Sequence, residues 1–208
     1  MKKFKINNYW RQLILITLLH MIATGCSFKE SPTVLQLAAL PDEGQICQIT
    51  VLPFINQTES KTADTLFYRI FTSELLSTGN YLISQEGDVR KILRQMRVFI
   101  GQQTSLEQVR SLGGRLGSKI VVSGTIIEMS GNDEQRGRQP VSLAVILRII
   151  ETDSGRTLWS TYHRREAKQY QKFLHFGKIN TIAELSKVVS QEIITAWINK
   201  GLKICVGK

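Results

Sequence analysis

Apolar positions recur along the chain with two different spacings, and these spacings predict a series of strands and helices. A spacing of two residues is typical of strands, and spacings of three and four are typical of helices. Residues 141–151 follow the first pattern, whereas 179–201 follow the second. The predicted strands are 46–52, 81–84, 119–129, 141–151 and 157–164, and the predicted helices are 62–77, 88–98, 104–116 and 179–201.

This β-α-β-α-α-β-β-β-α order predicts a single α/β sandwich domain, with a mixed, mainly antiparallel sheet and helices packed on it. Thr104 followed by Glu107 fits a capping box at a helix start, and Gly117 breaks that helix before the next strand. Gly155 lies in a tight turn, where we expect a positive φ. On the last helix the predicted core face consists of Ile182, Leu185, Val189, Ile193 and Ala196.

The N-terminus has the pattern of an export signal. Basic residues come first, and an apolar run over 13–24 follows, which is shorter than the roughly 20 residues a membrane-spanning helix needs. The run ends in Ala23-Thr24-Gly25-Cys26, which resembles a bacterial lipobox. We therefore predict a lipoprotein signal over 1–25, a lipidated tether over 26–45 and a periplasmic domain over 46–208. The alternative is an ordinary secretory signal in which the cysteine is coincidental.

Lipidation of Cys26 changes the expected location and partners of the protein. The only cofactor predicted is the covalent diacylglycerol and acyl lipid (palmitate) on this cysteine. Ser27, rather than Asp, follows it, which predicts the outer membrane, facing the periplasm. Loss of residues 1–25 removes four of 27 Lys and Arg and none of 17 Asp and Glu, leaving 23 − 17 = +6. An exported basic protein meets lipid headgroups, polysaccharide or other proteins, so no nucleic acid is expected as a partner.

Two further cysteines, Cys47 and Cys205, flank the predicted domain. In the periplasm two thiols in one small domain are candidates for a disulfide, and this one would close nearly the whole domain. The alternative is two separate thiols, because sequence alone does not give their separation.

No catalytic or metal-binding pattern stands out. The chain has three histidines, His20, His163 and His175, of which His20 lies inside the export signal, and His163 has no acidic residue at metal-ligand spacing. Gly113-Gly114-Arg-Leu-Gly117 follows a helix rather than a strand and lacks the Lys-Ser/Thr ending of a phosphate loop. We therefore predict a protein that is not an enzyme.

Two features are candidates for an interaction surface. The first is a run of basic residues along one helix, Arg90, Lys91, Arg94 and Arg97, which would touch anionic headgroups or an acidic partner. The alternative is an ordinary solvated helix face. The second is Trp159, within Thr157–Tyr162 and beside the polar loop 54–61, as a protein-docking anchor. The alternative for this tryptophan is core packing.

Several segments together resemble a known family. One half consists of a strand running into VLPFINQT, a helix ending LLSTGNYLIS and a helix with VRKIL; the other consists of LGSKIVVSGTIIEM and LAVILRIIETDSGRTLWS. They resemble the periplasmic domain shared by the curli secretion lipoprotein CsgG, the penicillin-binding-protein activator LpoB and the N-terminal domain of TolB. The resemblance covers roughly residues 46–165. It implies an α/β fold in a bacterial envelope lipoprotein, with no catalytic residues.

Two functions follow as expectations. The first is an outer-membrane lipoprotein that acts by protein–protein contact in envelope assembly, with activation of a penicillin-binding protein, a peptidoglycan synthase, as one candidate role. The alternative is a ring-forming structural component of a curli-type secretion or surface-organelle assembly, in which the chain forms a homo-oligomer. Neither 130–139 nor 166–178 has the long alternating strands of a channel-lining hairpin. The expected partners are the membrane, through the lipid, and an envelope protein such as a synthase or a secretion component.

Overall fold

Seven strands and four α-helices are found in the described part of a computed structural model. Residues 31–208 form one unit and 1–30 another, of which Tyr9 and Gln12 are described, both helical. The described residues are 9, 12, 31–41, 46–99, 101–131, 140–171 and 177–202. The strands are β1 (Thr33–Gln36), β2 (Gln48–Val51), β3 (Ile55–Asn56), β4 (Leu82–Ile83), β5 (Ile120–Ser130), β6 (Ser142–Glu151) and β7 (Thr157–Glu166). The helices are α1 (Ala63–Ser77), α2 (Glu86–Gln95), α3 (Leu106–Leu116) and α4 (Ile182–Asn199), with a 3-10 turn over Ala167–Tyr170.

The strands form one mixed sheet in the order β1-β7-β6-β5-β2-β4, with β3 also pairing with β5. The long strands β5, β6 and β7 are antiparallel, whereas β2 and β3 run parallel to β5 and β4 runs parallel to β2. The predicted α/β fold with a mixed sheet and packed helices is therefore confirmed.

The sequence pattern missed two strands. The edge strand β1 lies inside the segment predicted as a tether over 26–45, and it pairs antiparallel with β7. Of its four residues only Val34 is buried, so the strand has almost no hydrophobic alternation to reveal it. The two-residue strand β3, which follows Pro53, was predicted as loop. The folded unit therefore begins at residue 31 rather than 46.

One face of the sheet, which we call the inner face, is covered by α1 and α4. Aromatic rings fill the space between them: Phe54 lies 5.6 Å from Phe67, and Phe71 meets Trp197 edge to face at 5.8 Å, measured between ring centroids. These side chains have no exposed surface. Trp197 was absent from the predicted core face of the last helix, and its burial shows that this face is wider than the simple spacing indicates.

The opposite, outer face of the sheet is covered over only part of its width. Helices α2 and α3 pack there on β2 and on the start of β5. The residues that form this second core are Leu52, Val89, Leu93, Val98, Val109, Leu112 and Val121. The predicted inward face of α2 is confirmed, because Val89 and Leu93 are buried and Ile92 and Met96 pack against them.

Local features place α3 close to the sheet. Its capping box joins Ser105 and Gln108, one residue later than the predicted Thr104 and Glu107, because both pairs fit the same motif. Gly117 ends the helix in the left-handed conformation, with φ 67°. A Cβ atom on Gly113 would lie 2.2 Å from the side chain of Thr152, so only glycine allows this close approach. The predicted positive φ of Gly155 is confirmed at 68°.

Candidate functional site: the open half of the sheet

The outer face of β1 and β7 carries exposed side chains where the helices α2 and α3 do not reach, and the outer face of β6 beside them is buried or half-buried. We call this surface the open half-face. Tyr162 of β7 is 44% exposed and Leu35 of β1 is 57% exposed. Strand register places Ile146 beside Tyr162, and Ser160 beside Leu35. This surface mixes apolar and polar side chains, as protein–protein contact regions do.

Ion pairs border the open half-face on one side. Arg164 binds Glu128 on the neighbouring part of the sheet, with Nε to Oε2 at 3.0 Å, and Glu166 at 2.9 Å. The hydrogen bond from Arg164 holds the pKa of Glu128 below its usual range. Hydrogen bonds from Lys168 and then from Arg164 lower the pKa of Glu166 in the same way. These opposite charges neutralise one another, so this border carries no strong field of either sign.

A buried ionic cluster lies on the other side of β7, against α4. Three side chains converge on one carboxylate oxygen of Glu192: His163 Nε2 at 2.7 Å, Arg165 Nε at 2.9 Å and the Tyr170 hydroxyl at 3.0 Å. Burial and then the charge of Glu192 raise the pKa of Tyr170. His163 and Arg165 are almost fully buried. The cluster joins the end of β7 to the last helix, which is a structural role.

The prediction that Trp159 is a docking anchor is wrong, because its side chain is only 1% exposed. It alternates with Ser160 along β7 and points to the inner face, into the core that α1 and α4 cover. Tyr162, three residues later, is on the outer face and is the exposed aromatic of this strand. Odd-numbered residues from 159 to 165 share the buried face. Polar residues occur at both odd and even positions of β7, so the sequence alone did not reveal which face is buried.

The predicted basic run lies on α2 and continues beyond its end. Arg90 is already bound by Glu86, with Nε to Oε1 at 2.6 Å, and this acid also lies 3.8 Å from Arg69. Lys91, Arg94 and Arg97 are exposed to solvent. Arg115 of the neighbouring α3 donates to Gln95 at 3.1 Å, so the two helices present their basic residues side by side. A role for this surface in binding stays a prediction.

Two of the three predicted cysteine sites, Cys26 and Cys205, lie outside the described residues, as does the export signal apart from Tyr9 and Gln12. Cys47 is disulfide-bonded. Its backbone carbonyl accepts a hydrogen bond from Leu82 at 2.8 Å, and the neighbouring Tyr81 donates to the carbonyl of Leu202 at 2.7 Å. The described chain therefore ends near Cys47, which favours Cys205 as its partner, and the pairing stays a prediction.

Other kinds of site were searched for within the described ranges. There, no three His, Cys, Asp or Glu side chains are grouped so that they could hold a metal ion. No helix in the same ranges is both long and apolar enough to cross a membrane.

The chain was compared with known proteins. No family model and no curated protein matches it. The solved PelC dodecamer from Paraburkholderia phytofirmans has a TM-score of 0.52 at 14% identity, over 79% of this chain and 95% of that chain. Lipoprotein GNA1162 from Neisseria meningitidis has a TM-score of 0.48 at 16% identity, over 76% of this chain and 99% of that chain. For the LpoB C-terminal domain from Salmonella enterica the TM-score is 0.46 at 13% identity, over 62% and 87%.

These likenesses concern the fold. At 14% identity, the likeness to PelC shows that the two chains share an architecture. The two scores below 0.5 indicate only a general similarity. Of the three proteins that the sequence resembles, LpoB is among the similar structures. The resemblance to CsgG and to TolB stays a prediction.

Proposed function

We propose that the protein is an outer-membrane-anchored periplasmic lipoprotein that acts by protein–protein contact in cell-envelope assembly. The open half-face is the surface that makes this contact. The observation that carries the proposal is the exposure of Leu35 and Tyr162 on a sheet whose other face is fully covered. An aromatic anchor on a partly apolar surface is the kind of group on which protein interfaces concentrate their binding energy.

The strand β1 limits how far this surface can lie from the membrane. If Cys26 carries the lipid, the chain from Cys26 to Thr33 spans seven residues (33 − 26). An extended chain of that length covers at most about 25 Å. The partner therefore meets the domain close to the membrane that holds the lipid, and a long reach across the periplasm is not built into this chain.

Activation of a penicillin-binding protein is one specific form of this contact. It requires that the synthase bring its own binding surface to within the short reach of the anchored domain. In this proposal the protein regulates its partner by contact and catalyses no reaction itself.

A second candidate is a ring-forming component of a curli-type secretion or surface-organelle assembly. The observation that favours it is that a solved structure with this fold, PelC, is a dodecamer. The exposed edge strand β1 would then meet a neighbouring copy instead of a different protein. The two candidates differ in what covers the open half-face, and one experiment separates them.

Photo-crosslinking from the open half-face tests the contact directly. A photoreactive phenylalanine analogue replaces Tyr162 in cells that produce the full chain, and the crosslinked products are identified by mass spectrometry. Leu76 on α1, which is 57% exposed and lies outside the open half-face, is the matched control position. The proposal predicts a discrete product from position 162 that is absent from position 76.

The identity of that product decides between the candidates. A product with another envelope protein supports the contact role, and a ladder of self-crosslinked species supports the ring. Light scattering on the detergent-purified protein gives an independent answer, a monomer in the first case and a discrete large oligomer in the second. Equal, diffuse labelling from both positions would contradict a contact role for the open half-face.

The lipid anchor has its own test. Globomycin treatment, or the change Cys26→Ala, should leave unprocessed precursor that keeps residues 1–25. The mass of the mature N-terminal peptide measures this, with a Cys47→Ala variant as the control for general effects of cysteine loss. Normal processing of the Cys26→Ala chain would contradict lipidation at this position.

A further inference from the structure

A small cleft of about 220 Å³ lies where α3 meets the open half-face. Its floor is the middle of β5 and β6, and its walls come from the start of α3 and the turn after β6. Leu52, Leu106 and Ile150 give the cleft an apolar wall. The polar lining residues are Gln102, Gln103, Thr104, Ser123, Thr125, Arg148 and Thr157.

Among the described residues that line this cleft, Arg148 is the one with a charged side chain. It is half-buried in the middle of β6, and the strand register places Ser123 on one side of it and Ser160 on the other. Its guanidinium makes no hydrogen bond or ion pair with any side chain in the described part of the protein. Arg164, which lies on the neighbouring strand four residues beyond Ser160, instead binds two carboxylates.

This contrast between two arginines of the same face points to a ligand. A guanidinium that loses part of its water shell needs acceptors, and an anion provides the strongest ones. Hydroxyl groups surround Arg148, and they donate or accept as a ligand requires. Arg148 therefore presents its donors to whatever enters the cleft.

We infer that the cleft binds a carboxylate with a short aliphatic stem. Its planar oxygens match the fork of one guanidinium, and its single negative charge is neutralised by one arginine. A phosphate carries more charge, and the lining residues that the structure describes offer neither a second cation nor a glycine-rich backbone cradle for it. The apolar wall of Leu52, Leu106 and Ile150 accommodates the stem.

This site is independent of the proposed function. The carboxylate has two sources, a free small molecule or the C-terminus of a polypeptide, and the chemistry of recognition is the same for both. The cleft adjoins the open half-face, so a partner docked there could insert its C-terminal carboxylate.

Ligand-observed NMR on the full chain, purified in a non-ionic detergent, tests the inference. Butyrate is the probe, and butyramide and inorganic phosphate are the comparison ligands. We expect saturation transfer to butyrate and little to butyramide. Inorganic phosphate has no carbon-bound protons, so it is added as a competitor, and an equal concentration should not reduce the butyrate signal. The change Arg148→Gln should weaken butyrate binding about tenfold or more, because a charge-assisted pair is lost. Arg148→Lys keeps the charge but not the forked guanidinium. Its affinity for butyrate should lie between that of the unmodified protein and that of Arg148→Gln.

Arg69→Gln is the matched control, because Arg69 lies on α1, away from the residues that line the cleft, is 68% exposed and changes the net charge equally. It should bind butyrate like the unmodified protein. If Arg148→Gln does not fold, the comparison of butyrate with butyramide on the unmodified protein still decides whether the cleft binds a carboxylate. Displacement of butyrate by an equal concentration of phosphate, or an equal loss of butyrate binding in the Arg69 variant, would overturn the proposal.

An alanine pentapeptide with a free or an amidated C-terminus distinguishes the sources. Binding of the free peptide at least as tight as butyrate supports a polypeptide carboxylate. Binding of butyrate alone supports a small molecule. Failure of both carboxylates would overturn the site without affecting the crosslinking test of the open half-face.

Discussion

The two faces of strand β7 differ sharply in how far their side chains are exposed. On the inner face Trp159, Thr161 and His163 are at most 3% exposed. On the outer face Tyr162 is 44% exposed, and Arg164 reaches solvent beside it. Successive residues of one strand thus serve two purposes, because side chains of a strand alternate between the faces.

The difference shows where stability and contact are separated in this fold. Helices α1 and α4 cover the inner face completely with aromatic and aliphatic side chains. Helices α2 and α3 cover the outer face only over β2 and the first part of β5. We therefore expect substitutions on the inner face to unfold the protein, and substitutions on the open half-face to leave it folded.

The largest expected effect is at Trp197. Its ring is fully buried, and its Nε1 donates to Thr161 at 2.7 Å. Trp197→Ala should lower the free energy of unfolding by about 4 kcal/mol, because it removes a large buried side chain and leaves a cavity. Tyr162→Ala on the outer face should cost less than about 1 kcal/mol. Urea unfolding measures both, and equal losses would contradict the division between the faces.

The buried carboxylate of Glu192 comes next. Glu192→Ala leaves Arg165 and His163 without their shared acceptor in the interior, so we expect a loss of about 3 kcal/mol. Glu128→Ala removes an acid from the outer-face pair with Arg164, which is well exposed, and should cost about 1 kcal/mol or less. Urea unfolding compares the two variants. A larger loss of unfolding free energy in Glu128→Ala than in Glu192→Ala would contradict the greater structural role of the buried carboxylate.

Two adjacent glycines of α3 provide a finer comparison. Gly113→Ala brings a methyl group against Thr152 of the sheet and should cost about 1–3 kcal/mol. Gly114→Ala meets nothing within 4 Å and should stabilise the helix by about 0.5–1 kcal/mol. Opposite signs in thermal unfolding are expected. A stabilising Gly113→Ala would mean that α3 does not approach the sheet this closely.

The last comparison is a pH dependence of stability from two tyrosines packed under the inner face. Burial raises the pKa of Tyr81 to about 12 and, with the charge of Glu86, that of Tyr68 to about 12, from 10.0. The unfolded chain releases these protons first, so the stability they contribute is complete below pH 10 and is lost as the pH rises towards 12. Tyr81→Phe should flatten part of this decline in unfolding experiments between pH 9 and 12. An unchanged slope would contradict burial of the neutral phenol.

Many of the strands and helices that form the two faces could be predicted from the sequence. The elements that the prediction missed were missed for a physical reason. Alternation in 141–151 and helical spacing in α2 fixed those elements, because each has one clearly buried face. The edge strand β1 escaped prediction because only Val34 among its residues is buried.

Trp159 was a candidate anchor because an aromatic residue in a strand suits a core and an interface equally well. Its face is decided by which helix packs on β7, and the local sequence does not contain that information.

Arg148 was missed for a related reason. The sequence around a single arginine in an apolar strand is the same whether the side chain is paired, solvated or directed into a cleft. Only the register with Ser123 and Ser160 and the approach of α3 give it its surroundings. Lone charged residues within predicted strands are therefore worth tracing to the opposite strand before they are dismissed.

Hydroxyl-radical footprinting tests most directly whether the open half-face is a contact surface. The oxidation of Tyr162 and Leu35 is compared between intact cells and the purified full chain, with Leu76 as the exposed reference outside this surface. We predict that Tyr162 and Leu35 are protected in cells and oxidised after purification, while Leu76 is oxidised in both. Oxidation of Tyr162 in cells to the same extent as Leu76 would contradict the account.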